Sequence, residues 1–118
     1  MSSLNSITII GNVGSDPEMR FTPNSKPVAN FSVAVNEKVG ETEHVEWFKI
    51  VTWGKLAETC NQYVNKGMHV CVQGRIQTQT WDTDGQKHYK TELVASKVLF
   101  LGGKKKEQGE EPDLELPF

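Results

Sequence analysis

The sequence has few cysteines, and their arrangement fits neither a metal site nor a redox pair. Cys60 and Cys71 form no Cys-x-x-Cys motif and have no histidine at zinc-finger spacing. One lies in a segment with helical periodicity and the other in a segment that alternates like a strand. We therefore interpret both as buried free thiols.

Long apolar runs and a basic leader are also missing. The opening stretch MSSLNSITIIGNVG contains no lysine or arginine and only a short apolar run before Gly11. Neither a signal peptide nor a membrane span fits this pattern. With 118 residues the chain has room for one domain, and we expect a cytoplasmic protein.

Catalytic patterns are equally scarce. The loop GNVGSDP lacks the glycine and Gly-Lys-Ser/Thr spacing of a phosphate-cradling loop. A metal-dependent nuclease needs converging carboxylates, but Asp82 and Asp84 fall on a turn far along the chain from Asp16. We expect no enzymatic activity, no metal, no cofactor and no small-molecule substrate.

Positive charge is missing from the last part of the chain. All 13 lysines and arginines lie within residues 1–106, whereas residues 107–118 hold five carboxylates and no base. The net charge of −2 therefore combines a mildly basic body with an acidic segment. Periodicity also ends near residue 102, so we predict a domain at residues 1–102 and a flexible acidic tail at residues 103–118.

Most of the remaining sequence alternates with the period of a strand. Residues 54–67 differ, because Leu56 and Val64 belong to an apolar set at helical spacing and Gly67 predicts a helix end. Residues 15–27 contain turn-forming residues and predict a loop around a short extended piece. Strands are predicted at residues 5–14, 28–37, 45–53, 69–81 and 86–102, with a hairpin turn at Asp84-Gly85.

The order of these elements is three strands, one helix and two strands. This order is typical of a five-stranded Greek-key barrel of the OB type, in which the helix follows the third strand. An immunoglobulin-like sandwich would need more strands and no central helix. The predicted fold class is therefore all-β with one helix.

One predicted strand places aromatic rings and a cation on the same face. In VEWFKIVTWGK, the alternate positions Trp47, Lys49 and Trp53 share one face. Phe48 and Ile50 lie on the other. A lysine between tryptophans is a poor core pattern, because its ammonium group would be left dry. This strand alone leaves two interpretations open: the tryptophans fill the barrel, or they form an exposed stacking surface.

The strand predicted at residues 69–81 repeats the pattern. Its core face carries Val70, Val72 and Ile76. The opposite face carries polar residues predicted to contact nucleic acid, followed by a tryptophan: Gln73, Arg75, Gln77, Gln79 and Trp81. Aromatic rings beside cations suit the stacking of unpaired bases, and every base has a face that can stack. The pattern favours single-stranded nucleic acid, DNA or RNA, with little sequence preference.

The same residues carry a family resemblance. The stretches GNVGSDPEMRFTPNSKPVANFSVAV, EWFKIVTWGKLAE, YVNKG and GRIQTQTW resemble the bacterial single-stranded DNA-binding protein family, the homotetrameric OB-fold type. The resemblance implies protection of single-stranded DNA in replication, recombination and repair, in the cytoplasm at the bacterial nucleoid. It implies base stacking by Trp47, Trp53 and Trp81, and backbone contacts by Arg20, Lys49, Lys55 and Lys66.

The chain departs from this family in two places. Better-studied relatives have another tryptophan where this chain has Lys38 and Val39, and they often have basic residues at Gln77 and Gln79. We therefore expect a weaker salt dependence of binding, or a smaller wrapped site, than in a fully basic relative.

The acidic segment has an apolar tip. The sequence DLELPF resembles the partner-docking peptide of the same family and implies contacts with replication, recombination and repair proteins. Its carboxylates suit a basic rim and its phenylalanine an apolar pocket. The predicted partner-binding residues are Asp113, Leu114, Glu115, Leu116, Pro117 and Phe118. An inert solubilising tail is the alternative.

Two other kinds of binding protein would share the barrel. A primosomal OB-fold protein generally lacks the acidic tip, and an adaptor that acts through its tail would not need exposed tryptophans. The homotetramer is implied by the resemblance. The sequence adds that Phe48 and Ile50, with residues 28–35, offer more apolar surface than one small barrel is expected to hide.

Overall fold

A computed structural model describes residues 3–102 of the chain. Over these residues it has six strands and one helix. They are β1 (Ile7–Val13), β2 (Glu18–Phe21), β3 (Pro27–Val39), β4 (Thr42–Trp53), α1 (Gly54–Tyr63), β5 (His69–Thr83) and β6 (Gln86–Gly102). The predicted tail at residues 103–118 lies outside the described residues.

The strands form one sheet that closes into a barrel. Its order is β1-β5-β6-β4-β3-β2, and a further β1–β3 pairing joins Asn12 to Ala34 and Val13 to Val33. All pairings are antiparallel except β4–β6, where Ile50 pairs with Leu93. Five strands build the barrel, and α1 lies between the third and fourth of them. The predicted OB-type fold is confirmed.

The sixth strand, β2, is an addition to the predicted five. Residues 15–27 were predicted as a loop around a short extended piece, and Glu18–Phe21 is that extended piece, paired with the start of β3. A turn holds this pairing in place, because Ser25 N–H donates to Thr22 O at 2.8 Å and Ser25 adopts a positive φ of 62°. One edge of β3 therefore serves two partners, β2 at its start and β1 further along.

Two element boundaries differ from the prediction. The β3–β4 hairpin continues as far as the pair Val39–Thr42, so the predicted polar connection at residues 38–44 is mostly strand. The helix ends at Tyr63, before the predicted stop at Gly67, because Val64 is already extended. Gly67 follows in the left-handed region with φ 96°. Among the described residues, no helix has the length and apolar character needed to cross a membrane.

The core contains the inward-facing side chains of the barrel and of the helix. Ile50, Val33 and Leu56 are among its fully buried members. Cys60 is also fully buried, and desolvation raises the pKa of its thiol to about 12, so it stays a neutral, unreactive thiol. Cys71 is only half-buried, so the prediction of two buried thiols is correct for Cys60 alone.

The predicted surplus of apolar surface near Phe48 and Ile50 is wrong. Ile50 lies in the core and Phe48 packs against it half-buried. The barrel therefore covers the inward-facing side of this part of β4. An apolar patch lies instead on the outer face of β1, β5 and β6, where Ile10 pairs with Cys71 and Cys71 with Leu99.

Candidate nucleic-acid interface

The tryptophan-bearing side of β4 continues onto β3. Directly paired residues in neighbouring strands point to the same side of a sheet. Trp47 pairs with Ala34, and Lys49 pairs with Ser32. Two strands therefore present one surface, with rings and a cation along one row and small residues along the next.

The same surface continues in the opposite direction onto β6 and β5. Val51 of β4 pairs with Val94 of β6, which places the even-numbered side of β6 beside the tryptophans. Across β5 and β6, three polar pairs complete the surface: Gln77–Glu92, Gln79–Lys90 and Trp81–His88. We call this continuous surface of β3, β4, β5 and β6, together with Arg20 of β2, the tryptophan face.

All three tryptophans are exposed. Trp47 is 60% exposed, Trp53 is 40% exposed and Trp81 is 46% exposed. The interpretation that they fill the barrel is therefore wrong. Val51, on the same side of β4, is an exception to the predicted pattern, because it is buried between its neighbours.

The ring of Trp47 packs against a glycine. A side chain at Gly14 would meet this ring, with its Cβ only 2.9 Å from Trp47 Cη2. The segment is fixed to β3 by Gly14 N–H, which donates to Ser32 O at 2.9 Å. Ser15 Oγ adds a bond from Ser32 N–H at 3.2 Å. The indole ring therefore lies against backbone and keeps its opposite side available.

Trp53 and Trp81 each have a polar neighbour beside the ring. Lys26 Nζ lies 5.9 Å from the centre of the Trp53 ring, within cation–π range. His88 stacks on Trp81, with ring centres 5.4 Å apart and planes inclined by 19°. Sequence reasoning missed both neighbours, because Lys26 precedes the strand that pairs with the end of β4 and His88 lies across the β5–β6 hairpin.

Cations converge at the centre of the tryptophan face. Lys90 Nζ lies 3.2 Å from Glu92 Oε2, and the Glu92 side chain is only 5% exposed. Lys49 is close enough to Lys90 that hydrogen bonding and charge repulsion by Lys90 lower its pKa, and partial burial lowers it further. Glu92 opposes this effect on Lys49, and Arg20 adds to it. Sequence reasoning missed Lys90 and Glu92, because the two sides of the last strand were not separated.

The predicted polar residues of β5 extend the surface towards β1. Arg75 Nη1 donates to Gln77 Oε1 at 3.1 Å. Gln73 and Arg75 line a cavity of about 420 Å³ that Trp53 also borders. A second cavity of about 340 Å³ lies between Trp53 and Lys90 and includes Arg20 and Gln79 in its lining.

Two predicted cations lie away from the sheet. Lys55 is exposed in the first turn of α1, and Lys66 is exposed in the segment that follows the helix. The backbone N–H of Lys66 donates to Asp16 Oδ1 at 2.8 Å, which ties this segment to the loop after β1. Their contact with nucleic acid stays a prediction, as it does for the other site residues.

Lys38 and Val39, where relatives have a further tryptophan, lie at the tip of the β3–β4 hairpin. Val39 is one of the most exposed apolar residues of the described chain. Within residues 3–102, no group of three or more histidine, cysteine, aspartate or glutamate side chains is arranged to hold a metal ion.

An OB barrel with exposed tryptophans and converging cations on one face defines a class of protein that binds unpaired nucleic acid. Residues 4–101 match the family model described as the single-strand binding protein family. The chain belongs to this family, which confirms the resemblance seen in the sequence.

Two individual proteins are similar to this chain, one in sequence and one in structure. "Single-stranded DNA-binding protein 1" of Chlorobaculum tepidum is 43% identical over 108 residues, which cover 86% of this chain and 67% of the relative. Among solved structures, the Plasmodium falciparum SSB complex with ssDNA matches with a TM-score of 0.81 and 32% identity. That match covers 86% of this chain and 98% of the Plasmodium chain.

Proposed function

We propose that this protein binds single-stranded DNA with little sequence preference and protects it during replication, recombination and repair. The observation that carries the proposal is the tryptophan face, on which three exposed rings surround a cluster of cations. The proposed setting is the cytoplasm, at the bacterial nucleoid, and the proposal includes no reaction.

The chemistry of the face suits unpaired bases. Each base stacked on an aromatic side chain contributes roughly 1–3 kcal/mol, whatever its identity. The cations neutralise the phosphates between stacked bases and release their counterions, which makes binding salt-dependent. A duplex offers neither free base faces nor a groove that fits this sheet. The relatives support the proposal, since one is named for single-stranded DNA binding and the other is a complex with ssDNA.

Competition binding tests this proposal. A fluorescent oligo-dT bound to the protein should be displaced by unlabelled oligo-dT and oligo-dC, but not by a duplex of the same length. Equal displacement by the duplex would contradict the proposal. An oligo-rU competitor measures the preference for DNA over RNA, which stacking residues alone do not set.

We propose that the protein assembles as a homotetramer. The outer face of β1, β5 and β6 carries Ile10, about half exposed, next to Cys71 and Leu99. The edge of β1 from Ile7 to Gly11 pairs with β5 on one side only among the described strands. A second copy can cover both features through a symmetric contact. Sedimentation velocity should give a tetramer, and a monomer at micromolar concentration would contradict this.

The acidic tip at residues 113–118 is the proposed docking peptide for replication, recombination and repair proteins. Its alternating acidic and apolar residues suit a pocket with a basic rim. Deleting residues 113–118 should abolish binding to a purified exonuclease or helicase of the repair machinery and leave or strengthen DNA binding. Unchanged partner affinity after the deletion would contradict this role.

The adaptor alternative is tested by the affinity of the full chain for oligo-dT, because both accounts predict that partners are lost with the tip. An adaptor would bind oligo-dT only incidentally, and a primosomal OB-fold protein generally lacks the acidic tip. The exposed tryptophans argue against an adaptor, because it has no use for three stacking surfaces on one sheet.

A further inference from the structure

We propose that Lys90, Lys49 and Arg20 together bind one backbone phosphate at the centre of the tryptophan face, and that the buried carboxylate of Glu92 positions Lys90 for this contact. The inference rests on the proposed binding of single-stranded DNA and goes beyond it, because it gives a favourable role to a negative charge on a DNA-binding surface.

Glu92 is the unusual member of this group. Its side chain is 5% exposed, and its oxygen lies 3.2 Å from Lys90 Nζ. A buried carboxylate is costly unless a cation compensates it. Glu92 therefore restrains the long, flexible side chain of Lys90, which is partly exposed and would otherwise sample many rotamers. A restrained ammonium loses less entropy when a ligand binds to it.

The single negative charge of Glu92 does not neutralise the three cations around it. Three cations converge around one carboxylate, and Lys49 experiences the repulsion, since its pKa lies below the ordinary lysine value because of Lys90 and Arg20. Asp16 and Glu18 line a neighbouring cavity with Lys49 and border the group at its edge. An anion placed among the three cations would relieve their repulsion.

A cavity beside Lys90 and Arg20 has room for a phosphate and an adjoining base. The cavity of about 340 Å³ lies between Trp53 and Lys90 and also contains Arg20 and Asn30 in its wall. The side-chain oxygen of Asn30 is buried and has no hydrogen-bond partner among the described residues. This oxygen accepts hydrogen bonds, so it can take an N–H group of a base that enters the cavity, whereas the phosphate is held by the cations. Trp53 forms the adjoining wall, where a base can stack.

The cross-strand register explains why the phosphate contact falls on Lys90. This residue pairs with Gln79 of β5. Between Arg75 and Trp81, β5 carries no charged residue. Lys90 therefore supplies the positive charge in a row of the sheet where β5 has none.

The inference predicts an effect opposite to simple electrostatics. Replacing Glu92 by glutamine removes a negative charge from a DNA-binding surface, which on charge alone strengthens DNA binding. We expect Glu92→Gln instead to weaken binding of oligo-dT by about threefold to tenfold, because Lys90 loses its restraint. Lys90→Met should weaken binding by about tenfold and lower the slope of log affinity against log salt by about one.

Fluorescence anisotropy with labelled oligo-dT at several salt concentrations measures these effects on the full chain. Glu46→Gln is the matched control, because Glu46 is an exposed acid on the opposite side of β4 and its loss changes the net charge equally. The control should bind as tightly as the original protein or slightly more tightly. In a Lys90→Met background, Glu92→Gln should cause no further loss.

Several results would overturn the inference. One is a Glu92→Gln protein that binds oligo-dT as tightly as the Glu46→Gln control, with an unchanged melting temperature. A second is an unchanged salt slope in Lys90→Met, which remains decisive even where Glu92→Gln fails to fold. Failure of the proposed function is a separate result, since the unsubstituted protein would then not bind oligo-dT at all.

Discussion

The indole ring of Trp47 lies against the backbone of Gly14, in the space that a side chain at position 14 would occupy. Gly14 has no positive φ, so a glycine is needed here for space and not for backbone conformation. This contact joins the end of β1 to the middle of β4 and holds the most exposed of the three tryptophans in one orientation.

Replacing Gly14 by alanine is therefore expected to weaken single-stranded DNA binding. The added methyl group displaces the ring of Trp47 and removes part of its stacking, a loss of about 1 kcal/mol out of the roughly 1–3 kcal/mol that one stacked base contributes. Anisotropy with oligo-dT measures the loss, and thermal unfolding shows whether the fold is intact.

A double-mutant cycle tests whether this loss acts through Trp47. In a Trp47→Ala background, Gly14→Ala should have little further effect on affinity, because the ring that it displaces is gone. Additive losses in the cycle would show that Gly14 affects binding by another route.

Trp81→Ala is expected to reduce affinity for oligo-dT by roughly 1–3 kcal/mol, because a base loses its stacking surface. Tyr89 supplies the control, since it is 66% exposed on the neighbouring strand and pairs with Thr80, on the other side of the same hairpin. Tyr89→Ala should change the affinity by less than about 0.5 kcal/mol. Equal losses in the two variants would mean that the hairpin binds DNA through both sides.

As the pH is raised, the affinity for single-stranded DNA is expected to fall at a lower pH than it would if the pKa of Lys49 had its ordinary value. Lys90 lowers the pKa of Lys49, so Lys49 loses its proton first as the pH rises, whereas a bound phosphate favours its charged form. Below that pKa, Lys49 is charged in both the free and bound states, and it adds no pH dependence.

Anisotropy titrations between about pH 7 and pH 10.5 measure this effect, the upper limit being near the ordinary lysine pKa. Lys49→Arg keeps its charge over this range and should shift the fall in affinity to higher pH. Lys90→Met should also shift it to higher pH, because the repulsion is removed. A fall at the same pH in all three proteins would contradict the assignment to Lys49.

The two cysteines are expected to differ in reactivity. Cys60 is fully buried and burial raises its pKa to about 12, whereas Cys71 is half-buried on β5. A thiol reagent should therefore reach Cys60 only on unfolding, whereas Cys71 should react in a dissociated monomer and be protected where the proposed tetramer covers it. Mass spectrometry after limited alkylation identifies the modified residue, and early labelling of Cys60 would show that α1 opens readily.

The tryptophan face was predictable because strand alternation is local. Period two placed Trp47, Lys49 and Trp53 on one side of a strand, and the structure keeps them there. The OB fold followed from the order of elements, with the helix after the third barrel strand. Such predictions need only neighbouring residues, and they are largely correct.

What the sequence could not show depends on contacts between distant segments. Gly14 meets Trp47 only after the barrel closes, and Lys90 reaches Lys49 only through the parallel pairing of β4 with β6. The sequence predicted a short extended piece at residues 15–27 but not its pairing with β3, because the four residues of β2 have no apolar pattern of their own.

The most direct test of the account is the quenching of intrinsic tryptophan fluorescence by DNA. Titration with a long oligo-dT should quench the emission strongly, because bases stack on exposed indole rings, and a matched duplex should leave it nearly unchanged. The oligo-dT quenching should also weaken at higher salt. No quenching by either DNA would mean that bases do not reach Trp47, Trp53 and Trp81, and would contradict binding through the tryptophan face.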